Sequence, residues 1–156
     1  MTPPASVNTA LDQFEANAGL VAQLLADVPE ARLRERRLEG KWSAHENLAH
    51  LGQFHALIRE RARLIAQKDT PTFARYVPEQ DPGTTAWMEK PSARMLSDFA
   101  EERARLLADL RALPQEAWSR TGTHAAFGTL TLAGWLNFWL AHDGHHIMTA
   151  VVRART

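Results

Sequence analysis

Cysteine is absent from the 156-residue chain, which excludes disulfides, thiolate zinc sites and a cysteine nucleophile. The absence also fits a reducing compartment. An excess of charge is lacking too. Eighteen Lys and Arg balance 18 Asp and Glu, so no general attraction draws the chain to nucleic acid or anionic lipid. The most basic stretch, 32-RLRERR-37, is interrupted by a glutamate and reads as a solvated surface. The longest apolar run, 132-LAGWLNFWLA-141, is too short to span a bilayer. The opening residues, MTPPASVNTALDQ, lack the basic-then-apolar order of a signal peptide. A cytoplasmic protein that binds neither nucleic acid nor membrane is expected.

Sustained period-two alternation is missing as well, whereas helical periodicity is plain in four segments. Apolar residues at 45% and charged residues at 23% suit a folded chain. Residues 1–156 suffice for one domain that buries about two-thirds of the surface exposed on unfolding. The first helix is expected over Thr9–Val28, with Leu11, Phe14, Ala18, Val21 and Leu25 inward, Asn8 or Thr9 as cap and Pro29 as stop. The second starts at 43-SAHE-46, where Ser43 and Glu46 have capping-box spacing, and runs to about Gln67. The third follows 91-PS-92 and runs to about Leu113, burying Leu96, Phe99, Leu106, Leu107 and Leu110. The fourth follows Thr131 and reaches about Arg153. Residues 68–91 hold four prolines without periodicity and read as a long loop, a site wall or lid. Residues 114–130 have room for a short extended pair. These features predict an all-α four-helix bundle with a long crossover loop between helices 2 and 3.

The segment 142-HDGHH-146 carries three imidazoles on this otherwise apolar last helix. Residues four apart share a helix face, so His142 and His146 can present two rings to one point. The inward stripe of Leu132, Trp135, Leu136, Trp139, Asp143, His146 and Ala150 has His142 at its border and leaves His145 outside. Asp143, also inward, is expected to orient a metal-bound imidazole, since a buried carboxylate must accept hydrogen bonds. Two imidazoles make an incomplete site. The second helix offers His45, His50 and His55; strict periodicity ranks His55 slightly ahead of His50 and puts His45 last. Packed, hydrogen-bonded core histidines are the competing explanation. His124 reads as a surface or loop residue, Arg61 as a snorkelling surface arginine ahead of a contact to an anionic substrate, and the tryptophans as packing ahead of pocket or interface lining.

The phrase 42-WSAHENLAHL-51, followed some ninety residues later by 142-HDGHH-146, resembles the DinB-like (DinB/YfiT) superfamily of metal-binding four-helix bundles. That family opens its second helix with Trp and a hydroxyl residue, places a ligand histidine eight residues after the Trp, and adds an H-x-x-x-H pair on the last helix. The resemblance implies Trp42 and Ser43 as the opening and His50, His142 and His146 as metal ligands, with His55 as runner-up to His50. The stretch 127-FGTLTLAGWLNFWLAHD-143 is similar to the family's entry into that helix. Zinc is the default ion for three imidazoles, with nickel or another transition metal next. The resemblance further implies a small-molecule substrate and either transfer of an external low-molecular-weight thiol to an electrophile or hydrolysis. A non-catalytic metal-binding or interaction module is the remaining alternative. Leu140, Met148 and Val152, off the inward stripe, suggest a homodimer.

Overall fold

Val7, Ala10, Leu11, Phe14, Asn17, Val21 and Leu25 recur at helical spacing. In the computed structural model, which describes residues 2–156, they form the buried face of α1 (Ala5–Leu25). The helix starts four residues before the expected Thr9, with Pro4 as N-cap, because burying Val7 rewards an additional turn. Asn8 donates to the Pro3 carbonyl at 3.0 Å instead of capping. After Pro29 comes the short α2 (Glu30–Arg34). The basic run there is ion-paired and solvated, Arg32 with Glu35 and Arg34 with Glu30.

The second long helix, α3 (Ala44–Gln67), opens on a complete capping box. Ser43 Oγ accepts from Glu46 N at 3.1 Å, and Glu46 Oε2 accepts from Ser43 N at 2.8 Å. The segment expected to be a loop has structure of its own: β1 (Thr72–Phe73), a 3-10 turn at Pro78–Gln80, and α4 (Pro82–Glu89). Asp81 caps α4 by accepting from Gly83 N at 2.8 Å, and Pro82 occupies the first helical position, where its missing N–H costs nothing. Trp87 of α4 lies flat on Gly52, where any side chain would overlap the indole. Then follow α5 (Ser92–Arg111), β2 (Thr121–His124), β3 (Gly128–Thr131) and α6 (Leu132–Arg155), the last capped by Thr131.

The four long helices α1, α3, α5 and α6 form the expected four-helix bundle. A small three-stranded sheet accompanies the bundle. The extended pair in 114–130 is a β2–β3 hairpin, and β1 adds to β2 in parallel, Phe73 opposite His124. Gly122 is required there, because Phe73 and Ile65 approach it closely, and Trp135 Nε1 donates to its carbonyl at 2.9 Å. Among the described residues no helix is long and apolar enough to cross a membrane.

The core separates into two apolar clusters, one around Phe14, Ile58, Leu106 and Trp139, the other around Val21, Leu48, Phe99 and Ile147. Asn17, Arg103 and Asp143 lie between the two clusters in the sequences of α1, α5 and α6, and His55 of α3, next to Phe54, completes a polar layer with them. Arg103 and Asp143 are each 2% exposed and form a two-point ion pair. Arg103 also donates from Nη1 to the Phe14 carbonyl at 2.7 Å and from Nε to His55 Nε2 at 2.8 Å. Asn17 donates to Asp143 Oδ2 at 3.0 Å, and the Phe14 ring lies 3.8 Å from the guanidinium carbon. Removing one member strands the other in an apolar interior. Asp143→Leu or Arg103→Met should therefore cost about 3–5 kcal/mol, read as a lowered urea midpoint. The double variant Arg103→Met with Asp143→Leu should cost less than the two single changes summed, because no charge is left unpaired.

Candidate metal centre

His50 lies two turns into α3, and His142 and His146 lie on successive turns of α6. The packing of α3 on α6 brings one ring nitrogen of each within 4.8 Å of the other two. His50 Nε2 and His142 Nε2 are 3.1 Å apart. The rings stand edge to face, with centroid separations of 4.6 Å for His50–His146 and 4.7 Å for His142–His146. Neighbouring ligand nitrogens on a tetrahedral zinc are ~3.3 Å apart, so this spacing suits one shared ion.

The protonation pattern fits as well. Asn47 donates its amide to the Ser43 and Trp42 carbonyls at 2.8 and 3.4 Å, which fixes its Oδ1 as an acceptor facing α6. His146 Nδ1, 2.8 Å away, must then carry the proton, leaving Nε2 with a free lone pair. Burial, reinforced by repulsion between neighbouring rings, pushes His50, His142 and His146 down to about 3. All three are neutral at pH 7, the form in which imidazole binds metals. His50 Nδ1 and His142 Nδ1 are buried without a protein partner; one Nε2 donates to the other across their 3.1 Å contact, and both rings must carry the proton on Nδ1 to offer Nε2 to an ion. The donor set fits a divalent transition ion.

The other candidates sit elsewhere. His55 is 1% exposed, donates from Nδ1 to the Gly52 carbonyl at 3.0 Å and accepts from Arg103. His45 is buried between Ser92 Oγ at 2.7 Å and the Met88 carbonyl at 2.9 Å. His145 is exposed. Asp143 requires a correction. Its carboxylate is taken by Arg103 and Asn17 and reaches no imidazole among the described residues; the side chain that orients a ring of the group is Asn47. Two further readings change. His124 is 5% exposed and Arg61 8%, and both line the cavity of about 560 Å³ onto which the three imidazoles open. Trp42, Phe54, Tyr76 and Trp135 supply aromatic wall, and no carboxylate side chain lines it. Asn47 was missed because its signal, an amide on the inward face of α3 one turn before His50, resembles any buried polar residue.

Compared with known proteins, residues 13–150 match the sequence profile of the DinB superfamily. No curated protein matches. Among solved structures the chain is similar to YfiT from Bacillus subtilis, described as a probable metal-dependent hydrolase with an unusual four-helix bundle topology. Identity is 21%, the TM-score 0.77, and the match covers 99% of this chain and 92% of that one. The chain is also similar to a mycothiol-dependent maleylpyruvate isomerase, at 17% identity and a TM-score of 0.73, covering 100% of this chain. It spans only 64% of the isomerase's length. A mutant of the isomerase superposes with a TM-score of 0.71. At these identities the likeness establishes a shared fold.

The buried imidazoles give metal-free protein a defined acid response. Each binds a proton near pH 6.5 in the unfolded chain but only near pH 3 in the folded one. Between those values the unfolded state holds more protons. Stability should be full above pH 6.5 and decline as pH falls toward 3, by up to ~1.4 kcal/mol per pH unit for each ring. Urea midpoints across this range should show it, with a shallower slope for His142→Phe.

Proposed function

The chain belongs to the DinB superfamily, and we propose that it is a cytoplasmic metal-dependent enzyme acting on a small molecule. His50, His142 and His146 hold a divalent ion, zinc first and nickel or a similar ion next. The reaction is transfer of an external low-molecular-weight thiol to a small electrophile. One observation carries this reading: three neutral imidazoles converge on the wall of a 560 Å³ cavity that has no carboxylate in its lining. A bound ion supplies Lewis acidity, lowering the pKa of a thiol or water it takes up.

The chain's own residues perform the remaining tasks. Asn47 holds the His146 ring in one tautomer, and burial keeps the three rings unprotonated. Trp42 and Phe54 pack against the imidazoles at 5.2 and 4.3 Å between ring centroids and limit water around them. With no cysteine in the chain, the sulfur must come from outside. In the step proposed, the thiol proton passes to solvent, a carbon–sulfur bond forms and the bond from carbon to the leaving group breaks.

Hydrolysis is the second reading, supported by the description of YfiT as a probable metal-dependent hydrolase. An ion held by three imidazoles brings bound water only to a pKa of about 7, and the cavity wall offers no carboxylate to assist the later proton transfers of hydrolysis. A thiol starts near pKa 8.5 and needs no such base once its acidity is raised, which puts S-transfer first. Self-association through α6 is also part of the proposal. Met148 and Val152, one turn apart, are 65% and 40% exposed, whereas Leu140 packs against the core and drops out of that face.

Untagged protein reloaded with zinc should hold about one ion per chain, and His50→Ala should abolish this in elemental analysis. Asn47→Leu should weaken zinc binding about 10- to 100-fold by calorimetric titration. With chlorodinitrobenzene as electrophile, zinc-loaded protein should release chloride only when a thiol is supplied. Zinc-dependent turnover of the electrophile without added thiol would favour hydrolysis. An absence of turnover with either nucleophile would favour a non-catalytic metal-binding role.

A further inference from the structure

Arg61 follows His50 by eleven residues on α3. Eleven steps of ~100° return to within about 20° of the same face, and the rise is ~16 Å along the axis. Both residues line the one cavity. Neighbouring arginines on the outer face are ion-paired, Arg59 with Asp109 at 2.8 Å and Arg63 with Glu60 at 3.1 Å. Arg61 is different. It is 8% exposed, rests 5.2 Å over the Phe73 ring, donates to the Ala74 carbonyl at 3.1 Å, and meets no carboxylate among the described residues. A guanidinium this buried is costly without an anion.

Beside it lies His124, which the parallel pairing of β1 and β2 sets opposite Phe73. Its Nδ1 accepts from Ala126 N at 3.0 Å and Phe127 N at 3.3 Å, so the proton is on Nε2, an N–H with no partner among the described residues. Burial, then Arg61 and Arg75, hold the ring below its ordinary pKa and therefore neutral at pH 7. Arg75 is exposed and lines the same cavity. The Tyr76 hydroxyl is already committed to Asp81 at 2.8 Å and Thr84 at 3.1 Å. What remains is a wall of donors, two guanidinium groups and an imidazole N–H, without an acceptor to match them.

We propose that Arg61 and His124, assisted by Arg75, form a carboxylate-binding subsite, so that this protein's ligand is an extended small molecule with an acid at one end and its reacting group at the imidazoles. The reacting end rests on the metal-enzyme reading above; the acid end does not. The carboxylate belongs either to the thiol or to the electrophile, and both place the same group on the same donors.

Hexanoate and hexanol, matched in length, test the acid end on metal-free protein through the Trp135 indole N–H resonance. Hexanoate should bind about tenfold or more tighter. Arg61→Met should abolish that preference while leaving hexanol affinity within about twofold. Should Arg61→Met fail to fold, Arg61→Lys and the exposed Arg75→Gln should each reduce the preference. Equal binding of acid and alcohol, or a preference untouched by these variants, overturns the subsite. On cobalt-loaded protein, ω-mercaptohexanoate should give thiolate-to-cobalt absorption. If it displaces hexanoate, the thiol carries the acid; if mercaptohexanol and hexanoate bind together, the electrophile does. Absence of that absorption with any thiol refutes thiol transfer at the histidines and leaves the hexanoate result to decide the subsite.

Discussion

The buried pair of Arg103 and Asp143 governs how the four long helices face one another. Arg103 contacts α1 through Phe14, α3 through His55 and α6 through Asp143, and Asn17 of α1 closes the ring of bonds. Replacing a buried pair of this kind by well-packed apolar residues is often neutral in stability. Its distinctive contribution is orientation. A leucine layer tolerates several rotations of α6, whereas a two-point guanidinium–carboxylate contact tolerates one. Asp143 adjoins His142 and stands one turn from His146, so the rotation that satisfies Arg103 also turns both imidazoles toward α3. The convergence of the three imidazoles and the core's polar layer are set by the same helix rotation.

Much of the scaffold was legible because its signals are local. Ser43 with Glu46, Thr131 and the apolar stripes of α3 and α6 act within a turn or two of themselves. The misread parts depend on distant partners. β1 is two residues long and pairs with β2 some fifty positions later, which no local pattern announces. Asp81-Pro82-Gly83 looks like a turn, yet it is a cap and first turn of α4 once Trp87 finds the bare backbone at Gly52. His124 and Arg61 read as loop and surface residues because the cavity that buries them takes shape only once β1 joins the β2–β3 hairpin. The role of Asp143 was misjudged for a related reason. A second inward charge, Arg103, stood four residues after Phe99 on the stripe of α5, and two opposite charges on inward faces were the available clue.

His50 and His55 show why periodicity alone ranks such candidates poorly. The centre of a helix stripe faces other helices, and a histidine there is consumed by core hydrogen bonds, as His55 is by Arg103 and the Gly52 carbonyl. Ligand nitrogens need a boundary, where one side of the ring is packed and the other opens on space for a substrate. His50 occupies that boundary at the flank of α3, between Trp42 and Phe54. Resemblance at 42–51 singled out the histidine that the structure groups with His142 and His146.

The charge balance of the cavity leads to the same class of ligand from another direction. Its imidazoles are neutral at pH 7, its guanidinium groups are not, and no carboxylate lines it. The empty wall is therefore already cationic, and a divalent ion at the histidines adds to that without any compensating protein charge. In a cleft of low polarity such a field concentrates anions, and the favoured occupants bring negative charge at both ends, a thiolate or similar donor near His50 and an acid near Arg61. A neutral substrate would leave the buried guanidinium of Arg61 without a counter-charge, so under the function proposed above selectivity would reside as much in this far wall as in the histidines.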